Sequence, residues 1–217
     1  MATTIGEVLP LAVGVALSPI PIVAVILMLL SRNARATSSG FGVGWVVGIL
    51  AVTGIVIVLS GSATPDDGGG STTGWIKVVL GLLLIFLAFK QWHARADTTP
   101  PKWMHAIDEF TFVKSAGLGL ALSAVNPKNL LLCASAGVAI GTAGLSSGNA
   151  VVVWLIFTVL AACSVLVPVI GYAFAAERLA DVLDTAKNWL QANNHMVMAI
   201  VLLIMGVTVV GKGLGGL

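Results

Sequence analysis

Gly14-Val-Ala-Leu-Ser-Pro-Ile-Pro21 and Gly119-Leu-Ala-Leu-Ser-Ala-Val-Asn-Pro-Lys128 interrupt two otherwise apolar runs, about 105 residues apart, and share the lead-in Gly-x-Ala-Leu-Ser. Proline has no amide proton and its ring clashes with the preceding turn, so a helix through either stretch breaks there. In lipid the carbonyls freed by such a break must be satisfied within the protein or line a cavity. A matched pair of breaks half a chain apart is what an internally duplicated transporter looks like.

Composition agrees with this. The 217 residues are 58% hydrophobic and 9% charged, with a mean hydropathy of +1.03, whereas soluble domains carry roughly 25% charged residues. An integral membrane protein is expected. A net charge of +2 gives no basis for binding nucleic acid. Cys133 and Cys163 lie in separate apolar runs, which suits neither a disulfide framework nor a metal-ligand pair.

The apolar runs divide into six spans near the 20 residues a bilayer requires: 6–30, 40–61, 74–91, 115–140, 149–173 and 195–213. Glu7 in place of a basic leader region, the length of the run, and Pro10, Pro19 and Pro21 argue that the first span is retained rather than cleaved as a signal peptide. Loop charges set the expected orientation. Arg32 and Arg35 follow the first span, Lys90, Arg95, Lys102 and Lys114 surround the central loop, and Arg178 and Lys187 precede the last span. The second loop, with Asp66, Asp67 and the Gly68-Gly69-Gly70 run, and the fourth, from Gly141 to Asn149, contain no Lys or Arg. The excess of cations in cytoplasmic loops then places loops one, three and five in the cytoplasm and both termini outside, for a protein of the cytoplasmic (inner) membrane. Trp45, Trp75, Trp92 and Trp154 lie near expected span ends, where they would act as interfacial anchors.

The expected fold is therefore all-α and integral to the membrane, a 3+3 inverted-topology repeat of six transmembrane helices in which helices 1 and 4 are discontinuous at proline. Residues 1–92 form the first three-helix repeat, 93–114 a cytoplasmic linker with an interfacial helix, and 115–217 the inverted second repeat. In such repeats substrate binds near the midplane, between the corresponding broken helices. Counting 1.5 Å per residue from Lys114 puts Asn126 about 16 to 18 Å into the bilayer. Pro127 opens a new half-helix with Lys128 in its first turn, and a helix N-terminus beside a lysine suits an anion. The candidate substrate-binding residues are Ser18, Pro19, Pro21, Ser123, Asn126, Pro127 and Lys128. Structural alternatives stand beside each: the serines can bond back to their own helices, Asn126 can join helices, and Lys128 can snorkel, though mid-span its head is far from either surface.

Gly40, Gly44 and Gly48 form a double Gly-x-x-x-Gly ladder on the second span, and Gly137 and Gly141 repeat the spacing in the fourth. Such ladders let helix backbones approach closely, and the same faces can slide during gating. Segments 100–114, with Trp103, Ile107 and Phe110, and 175–192, with Leu179, Val182, Leu183, Ala186 and Leu190, have amphipathic spacing for the inner membrane surface. His93, His105 and His195 have no metal-ligand spacing, and no phosphate-cradling or Ser/His/Asp motif occurs, so neither an enzyme nor a cofactor is expected.

The Pro-broken first span, the glycine ladder opening the second and Asn-Pro-Lys in the fourth resemble the lysine exporter (LysE) superfamily. Within it, Ala16-Leu-Ser-Pro-Ile-Pro-Ile22 and Ala121-Leu-Ser-Ala-Val-Asn-Pro-Lys-Asn129 are similar to the GAP/Sap family of glycolipid- or sulfolipid-addressing proteins. By that resemblance Ser18, Pro19, Pro21, Asn126, Pro127 and Lys128 occupy signature positions. It implies the delivery of amphipathic glycolipids to the cell surface alongside lipid transporters of the RND type. Related thiol-reductant transporters carry a cysteine beside the proline of each broken span, whereas this chain has Ile20 and Val125 or Asn126 there, which argues against electron transfer. Three functions stay open: a transporter or flippase for anionic or glycosylated lipids of the envelope, a small-metabolite exporter for amino acids or cations, and a non-transporting assembly partner of a larger lipid exporter. The membrane bilayer, a lipid or glycolipid substrate, an RND-type transporter and a second copy in a homodimer are the partners considered.

Overall fold

The structure is a computed structural model that describes residues 1–61, 69–96, 107 and 109–215, with side chains for all of these except 69–72 and 175–180. The loop around Asp66 and Asp67, and Lys102, Trp103, His105 and Asp108 of the central linker, lie outside the described residues, as do the side chains of Arg178 and Leu179. Seven α-helices follow in order: α1 (Ala2–Ala16), α2 (Pro19–Leu29), α3 (Ala34–Gly61), α4 (Gly69–His93), α5 (Phe112–Ala124), α6 (Pro127–Gly141) and α7 (Ser147–Leu214), with a short 3-10 turn at Ala94–Ala96 after α4. No strand occurs among the described residues.

Among the described residues four stretches are long and apolar enough to cross a membrane: Ala34–Gly61, Thr73–Ala96, Ser147–Phe174 and Asp181–Leu214. A fifth arises if α1 and α2, which meet at 53°, form one span. The stretch expected to make the fourth span is divided between α5, of 13 residues, and α6, of 15, each shorter than a bilayer crossing. The expected fifth and sixth spans both fall inside α7, a continuous helical stretch of 68 residues containing Pro168.

Contacts between helices fix their senses. Along α3, Gly40, Gly44 and Gly48 meet Phe112, Ala116 and Leu120 in turn, so α5 runs parallel to α3. Gly137 and Gly141 of α6 meet Thr53 and Ile57 further along, so α6 is parallel to α3 as well. In the first half of α7 Trp154 packs on Gly54 and Leu166 on Gly42, which is antiparallel. In its second half His195 bonds Gln91 while Val210 packs on Gly81, antiparallel to α4. Gly14 of α1 meets Leu132 and Met205, while Glu7 lies with Ala139 and Lys212, so α1 is antiparallel to α6 and to the second half of α7; that second half is thus parallel to α6 and α3, and the two halves of α7 run in opposite senses. The helix therefore turns back on itself between Phe174 and His195, the region of the expected surface segment, where Leu183 is buried and Val182 and Trp189 are exposed.

The α3–α5 seam is held at backbone contact. A Cβ added at Gly44 would come within 1.9 Å of the Ala116 carbonyl oxygen, and one at Gly40 within 2.4 Å of that of Phe112. From the other side, Gly119 lies under the Phe41 carbonyl, at 2.3 Å from such a Cβ. With no hydrophobic drive between helices in lipid, this close packing is a main source of association. Trp45 belongs to the same seam: it is fully buried and stacked on Phe41 at 6.2 Å, so it is a core residue rather than the interfacial anchor expected from its position. Trp75 and Trp92 are exposed as anchors require.

This seam generates a paired expectation. Gly44→Ala should force α3 and α5 apart and cost about 1–3 kcal/mol or more. Gly117→Ala, on the facing helix α5 but with nothing within 4 Å of the added methyl, should be neutral or stabilising by up to about 1 kcal/mol. Thermal unfolding of the two purified variants in detergent checks the contrast.

Candidate functional site: a polar junction between two helix breaks

Each break begins with a residue that ends one helix and caps the next. Leu17 closes α1, and Ser18 adopts an extended conformation as the N-cap of α2, with Pro19 at the first helical position. Pro is suited to that position because the amide it lacks has no intrahelical partner there. In the second break Asn126, also extended, is the N-cap of α6, and its Oδ1 accepts from the Lys128 amide at 3.1 Å. Pro127 again holds the first helical position.

The chain leaves α3 at this second break. Gly48, near the middle of α3, lies against Leu120 and Ser123, whereas Thr53, less than two turns on, already lies against Gly137. The intervening residues make a detour away from α3, and the detour carries Lys128 and Asn129 to the first break. There the Lys128 ammonium donates to Ser18 Oγ at 3.0 Å and to the Leu17 carbonyl at 3.4 Å. Ser18 Oγ in turn donates to Asn129 Oδ1 at 2.8 Å, and Asn129 Nδ2 donates to the Leu122 carbonyl at 2.9 Å. One directed chain of hydrogen bonds thus links Lys128, Ser18, Asn129 and Leu122: the second break satisfies the Leu17 carbonyl of the first and its own Leu122 carbonyl, and Ser18 of the first break ties the two donors together.

The junction is closed. Ser18 and Lys128 are each 2% exposed and Asn129 is fully buried. Among the described residues the one ion pair is Lys187 with Asp184, so the Lys128 charge is held by neutral oxygens alone. A lysine at the centre of a membrane helix costs roughly 2.5–3.5 kcal/mol to insert, so this is an expensive arrangement to maintain.

The candidate residues are distributed unevenly around it. Ser18 and Lys128 meet directly. Asn126 is half-buried and shapes the turn through its cap, and Pro127 is exposed beside it. Pro19 and Pro21 are buried in α2 without a polar role. Ser123 lies apart: its hydroxyl donates to the Gly119 and Leu120 carbonyls and fits against Gly48. Asn129 is the residue that sequence reasoning passed over as a site residue, although it anchors both ends of the chain. Its place beside Lys128 in the first turn of a half-helix was the available signal. Gly137 and Gly141 back α6 against Val56 and Ser60 of α3 and so hold the half-helix in place.

A family described as Sap, sulfolipid-1-addressing protein, has a model that matches residues 8–215. No curated protein and no solved structure matches the chain.

Asn129→Ala should leave the Leu122 carbonyl unpaired and the Ser18 hydroxyl proton without its acceptor, and lower stability by about 1–3 kcal/mol. Lys128→Met should be neutral or stabilising, because it replaces a buried cation by an apolar chain of similar size. Thermal midpoints of the two variants in detergent test this opposite pair of signs.

Proposed function

The chain belongs to the Sap, sulfolipid-1-addressing protein, family, and from that membership we propose that it moves an anionic, amphipathic lipid of the sulfolipid kind across the membrane by parting and rejoining its two helix breaks. The observation that carries this reading is the Lys128 ammonium, buried at the meeting point of both breaks with only neutral acceptors. An arriving sulfate, phosphate or carboxylate replaces Ser18 Oγ and the Leu17 carbonyl as its partner, and the first amides of α6 add further donors. The charge gained in that exchange offsets the hydrogen bonds given up when the breaks separate.

A lipid is favoured over a small polar metabolite by what surrounds the breaks. Leu17 is 48% exposed and Val125 is 71% exposed, so an apolar, outward-facing surface adjoins the polar junction. Acyl chains can follow that surface through the bilayer while the headgroup passes inside. The senses of the helices support a six-crossing arrangement in which α1 with α2 makes the first crossing and α5 with α6 the fourth. The two halves of α7 are then the fifth and sixth crossings, and the last three repeat the first three in inverted order. In this reading Arg32, Arg35, Lys90, Arg95, Lys114 and Lys187 face the cytoplasm, and the junction lies near the bilayer midplane.

Lys128→Ala should abolish delivery of the anionic lipid to the outer surface at normal protein levels, while Lys128→Arg keeps partial activity because the charge survives with altered geometry. The measurement is surface lipid per unit of protein in cells with each variant. Full delivery by Lys128→Ala, together with loss of delivery when the protein is deleted, would instead support an accessory role beside a larger RND-type exporter. Orientation is tested separately. With Cys133 and Cys163 replaced by Ala, Ser147→Cys should react with an impermeant thiol reagent in sealed cells, and Arg95→Cys should react only after permeabilisation.

A further inference from the structure

At the end of the bundle where α1 and α4 begin and α6 and α7 finish, four helices surround a small half-open cavity of about 20 Å³, enough for one water or one ligand oxygen. Its polar lining is Glu7 from α1, Lys77 from α4, Ser135 from α6, and Thr208 and Lys212 from α7; Leu11, Ala139 and Val209 complete it. Lysines at span ends ordinarily snorkel toward water. Lys212 instead turns inward and donates to the Glu7 carbonyl at 3.3 Å. Ser135, in the cavity wall, is only 3% exposed, and its hydroxyl has no hydrogen-bond partner. Thr208, by contrast, already donates to the Ile204 carbonyl.

The three charged side chains are half-buried around one space without forming a direct ion pair among themselves. Two ammonium groups and one carboxylate leave a net positive charge, and Ser135 adds an unused donor. We infer that this cavity binds one oxygen of an oxyanion, a sulfate or phosphate group carried by a lipid or free in solution. Lys77 and Lys212 supply charge-assisted hydrogen bonds, Ser135 a third donor, and Glu7 opposes the ligand. The site is separate from the Lys128 junction and does not rest on the transport reading.

The test uses the whole protein in nanodiscs of zwitterionic lipid. The probes are a fluorescent sulfated glycolipid, the same lipid without its sulfate, and inorganic sulfate. The sulfated lipid should bind and the desulfated one should not, with inorganic sulfate competing. Much weaker binding of the free ion identifies a lipid headgroup as the ligand, and comparable binding identifies the free oxyanion; both support the site. Lys77→Gln and Lys212→Gln should each weaken binding about tenfold, corresponding to the loss of one charge-assisted contact. Glu7→Gln should tighten it several-fold, a gain that misfolding cannot produce. All of these measurements are made on the protein carrying Lys128→Met, so that binding at the helix-break junction does not contribute. Lys90→Gln, which removes an exposed charge at the far end of α4, should leave binding unchanged. Wild-type binding by both lysine variants, weaker binding by Glu7→Gln, or an equal loss in Lys90→Gln would each overturn the assignment.

Discussion

A backbone carbonyl freed inside a membrane bundle has no water to turn to, and this fold answers two such interruptions with a single hydrogen-bonded junction. The Lys128 ammonium takes the Leu17 carbonyl of the first break, and the Asn129 amide takes the Leu122 carbonyl before the second. Ser18 joins the two by accepting from one and donating to the other. Neither break has this set of partners without the other, so within the apolar packing that joins the two halves a few hydrogen bonds couple them at the breaks. A contact of this kind is strong while dry and weakens when water or an anion enters. That is the physical basis for reading it as an element with two states.

The rest of the fold holds the junction in position. Helix α3 serves as a rail: its glycine ladder fixes α5 before the second break, and Thr53, Val56 and Ile57 receive Gly137 and Gly141 after it. Both contacts are at backbone distance and leave little freedom to slide by fractions of an ångström. The detour between them is where the chain departs from the rail and meets α1 and α2. The reversal within α7 brings its second half against α1, with Met205 beside Gly14, one turn before the first break.

Much of this was legible in the residues, though unevenly. The breaks could be located because proline removes a donor wherever it stands, and the glycine ladders because their spacing survives in one dimension. That Lys128 and Ser18 touch was not legible, since their contact depends on the detour at Val125 and Asn126. Asn129 was overlooked for the same reason: a polar residue in a first helical turn resembles any other until its partners come from a distant helix. Trp45 was misjudged because position along a span does not reveal which face a side chain occupies. Glu7, Lys77 and Lys212 come from three separate helices, and only the fold brings them around one cavity with Ser135. The amphipathic spacing of 175–192 was legible as a surface segment between two spans, but its joining to both without a break in the helix was not.

The central claim is that α1 and α6, the helices that bear Leu17 and Lys128, must separate for lipid to move. It is tested most directly by fastening them beside the junction. Gly14 and Leu132 face each other there, the Leu132 methyl lying 3.1 Å from a Cβ built on Gly14. With Cys133 and Cys163 replaced by Ala, Gly14→Cys and Leu132→Cys can be joined by a short bifunctional thiol reagent of the cleavable type. Lipid delivery is then measured before linking, after it, and after the link is cut. Delivery that stops on linking and returns on cleavage is the predicted result, and full delivery by the linked protein would contradict it.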